Sequence, residues 1–339
     1  MDEQQDLSTY LPDLGFALTS IVLGVLASIF LYWLLNFLVN LLPRRAASAL
    51  QPYAFIAPVL ALVGGFLVWP TIQTMYLSFT TTSQDTGEQT FTGFDNFASL
   101  FGDPDFITTL SNNLLWILVV PLASVVLGLL IATVSNNVGP IREKVAKSII
   151  FLPMAISFVA ASTMWRFLYH YDAGNTQIGL LNAVVTSLGG DAVPWLQVTN
   201  FKLNDLLLMV IVIWLNTGFA MVLLSAAIKA VPEETVEAAS IDGATGRQTF
   251  FKIVLPQIRA TAVSVFITVL IAVMKIFDVV YAMTGGNYET NVLGVAFIKN
   301  YFEFGDTGKA SAIVVLLMLA IIPIMIYQVR SYRKQEELR

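Results

Sequence analysis

The sequence predicts an all-α polytopic membrane protein with seven transmembrane helices, and three observations carry that prediction. Of 339 residues, 56% are hydrophobic and only 12% are charged, whereas a soluble domain carries about a quarter charged residues. Such a chain lacks the polar groups to cover a water-facing surface, so lipid must cover part of it. The apolar residues also fall in seven long runs, each near the roughly 20 residues that a helix needs to cross a bilayer. Finally, most Lys and Arg residues collect in alternate loops, as the excess of positive charge on cytoplasmic loops requires.

The runs are Leu14–Leu42, Tyr53–Phe79, Leu114–Ser135, Ile149–Tyr169, Leu206–Ile228, Ala260–Met283 and Ala310–Val329. Backbone polar groups in lipid must be paired within the segment, which leaves helices or a closed barrel. Continuous runs of this length exclude the alternating strands of a barrel. The first run follows an acidic leader, MDEQQDLSTYLPD, and no small-residue cleavage site comes after it. Signal peptides begin with positive charge and are shorter, so this run is expected to be a retained helix. Pro121 in the third run and Pro153 in the fourth are expected to kink their helices.

Charge sets the orientation. The stretch before the first run has no Lys or Arg, and neither does the loop Thr80–Asn113, which instead holds Asp85, Glu88, Asp95, Asp103 and Asp105. Basic residues occupy the intervening loops: Arg44 and Arg45, then Arg142, Lys144 and Lys147, then Lys229, Arg247, Lys252 and Arg259. The tail adds Arg330, Arg333, Lys334 and Arg339. Arg166, Lys202, Lys275, Lys299 and Lys309 are scattered outside this pattern. One assignment gathers the basic groups inside: N-terminus out, C-terminus in, which seven crossings require.

Composition also excludes several functions. A net charge of −5 argues against a nucleic-acid partner, which needs a basic face. With no Cys and a single His, His170, neither a disulfide, a thiolate metal site nor a His-rich metal site is available. No GxxxxGK[ST] loop is present. Gly64-Gly65 and Gly285-Gly286 are doublets without a following Lys-Ser or Lys-Thr, so ATP hydrolysis is not expected on this chain.

The loop between the fifth and sixth runs reads VPEETVEAASIDGATGRQTFFKIVLPQIR. Pro232 suits a first helical position, and Glu233 and Glu234 favour a helix N-terminus. Gly243 suits the left-handed residue just past a helix end. Arg247 to Val254 can form a second short helix before Pro256 punctuates the start of the sixth span. Ala238, Ala239, Gly243 and Ala244 are small enough for another backbone to approach, while Glu237, Asp242 and Arg247 offer charge for pairing. The loop is therefore expected to be a compact two-helix elbow suited to docking.

Its residues Glu237-Ala238-Ala239, Gly243, Ile253 and Leu255-Pro256 match in identity and spacing the signature of binding-protein-dependent importer permeases, the transmembrane subunits of ATP-binding-cassette importers. The segments FTGFDNFASLFGDPDF, FLPMAISFVAASTMWRFLY and FDVVYAMTGG resemble the sugar-importing, maltose-type members, and QIGLLNAVV resembles their α-glucoside branch. Gly285-Gly286 is followed by Asn287 where the family carries Pro. The resemblance implies a six-helix importer permease core plus one additional N-terminal helix. Residues 1–50 would then be the additional helix and a cytoplasmic linker, and residues 51–339 the transmembrane domain, with a coupling loop at 230–258. The resemblance further implies that Glu237, Ala238, Ala239, Asp242, Gly243, Arg247, Ile253, Leu255 and Pro256 engage the ATPase. It implies a second homologous permease subunit, two cytoplasmic ATP-binding subunits that hold ATP and Mg, and an extracytoplasmic solute-binding protein. The setting would be a bacterial or archaeal plasma (inner) membrane, and the solute a neutral sugar of maltose, trehalose, sucrose or glucosylglycerol type.

Ser264, Thr268, Lys275 and Asp278 in the sixth run lie at successive offsets of 4, 7 and 3 and share one face of a continuous helix, at about 100° per residue. They line a solute path, or the hydroxyls bond their own helix while Lys275 and Asp278 neutralise each other one turn apart. Asn216, in an Asn-Thr-Gly tract of the fifth run, either contacts solute or binds helix to helix. Trp116, Trp165 and Trp214 read as interfacial or packing aromatics. Arg166 and His170 snorkel to the interface or meet a docking protein. The alternatives are a permease for an amino acid or peptide, a secondary transporter with inverted repeats, and an intramembrane enzyme. Lys275 with Asp278 is the only close pair of charges within a run that could serve an enzyme.

Overall fold

The structure is a computed structural model that describes residues 7–82, 87–136, 138–174 and 178–336. Asp85, Gln177 and Arg339, and the Lys334 side chain, lie outside the described residues. Internal contacts divide the chain into two units, Met1–Thr74 and Met75–Arg339. That division falls beyond the boundary expected near residue 50 and assigns most of the second span to the first unit.

The first unit is a helical hairpin. Helix α1 (Leu7–Asn40) and α2 (Arg44–Val63) are separated only by residues 41–43, where Pro43, lacking an N–H, suits the residue before a new helix. Arg44 and Arg45, expected in a loop, form the first turn of α2. A π-helical turn, Gly64–Val68, carries α2 without interruption into α3 (Trp69–Leu77). The rings of Tyr32 and Phe55 pack with centroids 5.2 Å apart. Phe16, Leu23, Phe30 and Phe66 point outward, which a bilayer accommodates and water would not.

The second unit begins with a two-stranded antiparallel hairpin, β1 (Thr80–Thr82) with β2 (Gln89–Phe91), in which Thr81 pairs with Thr90. Then come α4 (Asp95–Phe101), α5 (Pro104–Asn136), α6 (Pro140–Phe151), α7 (Phe158–Leu168), α8 (Leu180–Ser187) and α9 (Leu203–Lys229). They are followed by α10 (Glu233–Ile241), α11 (Gly246–Thr249), α12 (Leu255–Met274), α13 (Asp278–Thr284), α14 (Leu293–Ile298) and α15 (Thr307–Glu336). Six helices among the described residues are long and apolar enough to cross a membrane, or seven if a bent pair is counted as one span.

The bent pair covers the run expected as the fourth span, and it is not the kinked single helix expected. At Pro153, which lacks an N–H, the chain tightens into a 3-10 turn (Leu152–Ala155). Ile156 is extended, and Ser157 restarts the helix as a cap, its Oγ accepting from the Ala160 N–H at 3.2 Å. The two halves diverge by 103°. In the third span, by contrast, α5 continues helically through Pro121.

Helices α5, α9 and α12 build the core around Trp116, Val120, Leu208, Ile211, Val269 and Val273, all essentially without solvent contact. Trp165 and Trp214 pack edge to face at 5.8 Å, which places the tryptophans in packing roles. At the end where α5 and α9 begin, asparagines hold a strained loop. Asn112 Nδ2 donates to the carbonyls of Glu289 (2.6 Å) and Asn291 (2.8 Å), and Asn204 Nδ2 donates to that of Tyr288 (2.7 Å). Tyr288 and Glu289 have φ of 55° and 60°, a left-handed conformation that non-glycine residues adopt at a cost.

Candidate functional site

The elbow between α9 and α12 forms as its local chemistry dictates. Pro232 precedes α10 as its cap, one residue earlier than expected, and Glu233 and Glu234 occupy the first turn, where they face the positive end of the helix dipole. The other end of α10 closes with two reversed hydrogen bonds, Ala244 N–H to Ala239 C=O at 2.9 Å and Gly243 N–H to Ser240 C=O at 3.1 Å. This closure requires a left-handed residue, and Gly243 supplies it with φ of 79°. Thr245 then starts α11 with a reciprocal cap: its Oγ1 accepts from the Gln248 N–H, while Gln248 Oε1 accepts from the Thr245 N–H at 2.8 Å. A helix stopped and another started within four residues make a rigid corner.

Past the corner the structure differs from expectation. There is no separate helix ending before Pro256. The chain stays helical from Gly246 to Met274, through a π-helical turn (Phe250–Val254) in which the Leu255 N–H reaches back to Phe250 C=O. The wider turn accommodates Pro256, which has no N–H to give and would crowd a regular turn.

The residues of the signature divide by exposure. Glu237, Ala238, Asp242, Gly243 and Arg247 are exposed, Ile253 and Leu255 are half-buried, Pro256 is exposed and Ala239 is buried. Ala239 therefore holds the corner together while its neighbours face outward. Glu237 and Asp242 have no ion-pair partner among the described residues; the Arg247 guanidinium lies 5.9 Å from the centre of the Phe251 ring. A cleft of about 1420 Å³ opens beside the corner, lined by Thr133 and Val134 from α5, Lys229 from α9, and Glu237, Arg247 and Phe250.

The polar stripe of the sixth span is broken. Helix α12 ends at Met274 and α13 begins at Asp278, with Phe277 at φ −143° between them. Lys275 and Asp278 therefore do not continue the face of Ser264 and Thr268, and they form no ion pair among the described residues. Asp278 takes the first turn of α13, where a carboxylate suits the dipole. Ser264 Oγ donates to Ala260 C=O (3.0 Å) and Thr268 Oγ1 to Ser264 C=O (2.9 Å). Asn216 Nδ2 donates to Val212 C=O of its own helix at 2.8 Å rather than to a neighbour. Each keeps an oxygen free to accept another bond. Arg166 donates to the Ala282 carbonyl, joining α7 to α13, a contact that the sequence does not reveal. The buried Asn182 likewise binds His170, Val193 and Trp195.

Helices long and apolar enough to cross a membrane, with a doubly capped corner between α9 and α12, fit a membrane transport permease. The chain belongs to the family described as binding-protein-dependent transport system inner membrane component, which matches residues 124–336. It is similar to the alpha-glucoside transport system permease protein AglF of Rhizobium meliloti, with 41% identity over 334 residues, 94% of this chain and 97% of that protein. It is 46% identical over 286 residues to the osmoprotective compounds uptake permease protein GgtC of Synechocystis sp., covering 84% of this chain and 100% of that one. Among solved structures, it shares its fold with a chain of a bacterial alginate ABC transporter in complex with an alginate pentasaccharide-bound periplasmic protein. That likeness has a TM-score of 0.71 at 22% identity, over 86% of this chain and 96% of the other.

Proposed function

We propose that this chain is the permease subunit of an ATP-driven importer for a neutral α-linked glucoside of maltose, trehalose, sucrose or glucosylglycerol type. The observation that carries the ATP-driven part is the corner at Gly243, which presents Glu237, Ala238 and Asp242 outward from a rigid, doubly capped turn. A short rigid element can transmit displacement where a flexible loop would absorb it. On this reading residues 230–258 seat in a cleft of a cytoplasmic ATP-binding subunit, two copies of which hold ATP and Mg, and this chain itself needs no cofactor. A second homologous permease subunit completes the path, and an extracytoplasmic solute-binding protein delivers the sugar. The N-terminus lies outside and the C-terminus inside, as the segregation of Lys and Arg favours. Residues 1–50 are an addition to a core spanning 51–339.

The relatives named for alpha-glucosides and osmoprotective compounds support the solute class. The chemistry of the spans agrees. Asn216, Ser264, Thr268 and Asp278 offer acceptors and donors for hydroxyls, with Lys275 nearby, and the spans carry no Arg cluster of the kind that clamps a phosphorylated solute. The test is competition for uptake in liposomes containing the full complex. α-Glucosides should compete and amino acids or peptides should not; the reverse pattern would remove the sugar assignment while leaving an importer.

A further inference from the structure

The root of the corner carries an ion cluster whose acidic member the sequence did not single out. Lys229 is the last residue of α9, four residues before α10 begins. Its Nζ lies 2.5 Å from Glu143 Oε1 of α6. The same Glu143 oxygen also receives Lys147, one turn further along α6. Lys147 Nζ in turn donates to Asn136 Oδ1 at the end of α5 (2.8 Å) and contacts Ser225 Oγ of α9, which itself donates to Asn136 Oδ1 at 2.9 Å. Three helices thus meet on one carboxylate, two ammonium groups and two neutral polar side chains.

Burial decides what this cluster does. The side chains of Glu143 and Lys147 are only 14% and 18% exposed, whereas that of Lys229 is 54% exposed. Ion pairs between exposed groups contribute little. A covered carboxylate shared by two cations differs, because removing it leaves the mostly covered Lys147 ammonium without its counter-charge. Higher up, α6 and α9 touch again where Gly218 meets the Ile150 carbonyl. Two fixed points along a helix pair oppose both sliding and splaying. Helix α6 leads within a few residues to the 103° bend of the fourth span.

We propose that Glu143 is a positioning residue for coupling: by bridging Lys229 and Lys147 it makes α6 and α9 move together, so that displacement of the Gly243 corner reaches the bend at residues 156–157. The inference rests on the coupling role proposed for the corner. Without the bridge, the corner would still dock and the ATPase would still turn over, but the displacement would be lost between α9 and α6.

The experiment measures solute taken up per ATP hydrolysed, using the full complex in proteoliposomes. Glu143→Gln keeps the side-chain shape and removes the charge. Its ATPase rate should remain near that of the unaltered complex, and its uptake per ATP should fall about tenfold, within the range of a single coupling interaction. Lys229→Arg keeps a cation on Glu143 and should keep most of the ratio, whereas Lys229→Gln leaves Glu143 paired only with Lys147 of its own helix and should lower it. Should Glu143→Gln fail to assemble, the more exposed Lys229 decides: a low ratio in assembled Lys229→Gln beside a normal ratio in Lys229→Arg supports the bridge, and a normal ratio in Lys229→Gln overturns it. An unchanged ratio in Glu143→Gln also overturns it. Gly243→Val separates the two readings. If that variant uncouples uptake and Glu143→Gln does not, only the bridge is wrong; if neither uncouples, the role of the corner is wrong as well.

Discussion

Gly218 of α9 and Ile150 of α6 are in backbone contact: a side-chain carbon at position 218 would lie 2.6 Å from the Ile150 carbonyl oxygen and 2.9 Å from Phe151 Cα. No side chain fits there. The Asn-Thr-Gly tract interrupts an apolar run because a second helix passes at that level.

Gly218→Val should therefore force α6 and α9 apart. Overpacking of a tight contact costs about 1–3 kcal/mol. The thermal unfolding midpoint of the detergent-solubilised complex should fall measurably, and Gly218→Ala should fall less. A valine variant that melts with the unaltered protein would show that the helices do not meet here.

Asn112 makes a second prediction. It donates to two carbonyls of the loop after α13, and two residues in that loop are held at positive φ. Asn112→Leu leaves those carbonyls unpaired, at a cost of about 1–3 kcal/mol. Amides of residues 287–292 should exchange hydrogen faster in the variant while those of α9 keep their protection. Unchanged exchange in the loop would remove the anchoring role.

Asn216 and Asp278 are the polar side chains to test in the solute path. A site built to bond a hydroxyl loses its grip when its own partner is removed. Asn216→Leu and Asp278→Leu should each lower uptake about tenfold, with assembly and basal ATP hydrolysis retained, on the scale of one lost hydrogen bond. Uptake at the unaltered rate in both variants would move the path elsewhere.

Much of this was legible in the sequence because the governing forces are local. Continuous apolar runs revealed the crossings, and Gly243 and the small residues around it revealed the corner. The interruptions were less visible, since an average over 20 residues passes over a three-residue break. Pro153 followed by Ser157 is in fact a helix stop and a cap. Lys275 and Asp278, read as one stripe, flank the gap between α12 and α13. Asn112, Asn182 and Glu143 stayed hidden for a different reason. Their partners are distant in the chain, as with Asn112 and Glu289, 177 residues apart, so no spacing pattern marks them. Lys147 and Lys229 were read only as positive charge on one side of a membrane, although both converge on Glu143.

On the function proposed, the Gly243 corner meets an ATP-binding subunit on the side of the membrane opposite the β1–β2 hairpin. The chain has no native Cys, so single replacements report cleanly. Glu237→Cys should cross-link to the ATP-binding subunit in the assembled complex, with a yield that changes when ATP binds. Thr90→Cys should react with an impermeant reagent only from the outer side and never cross-link to that subunit. Cross-linking of the Thr90→Cys variant to the ATPase, with none from Glu237→Cys, would contradict the account.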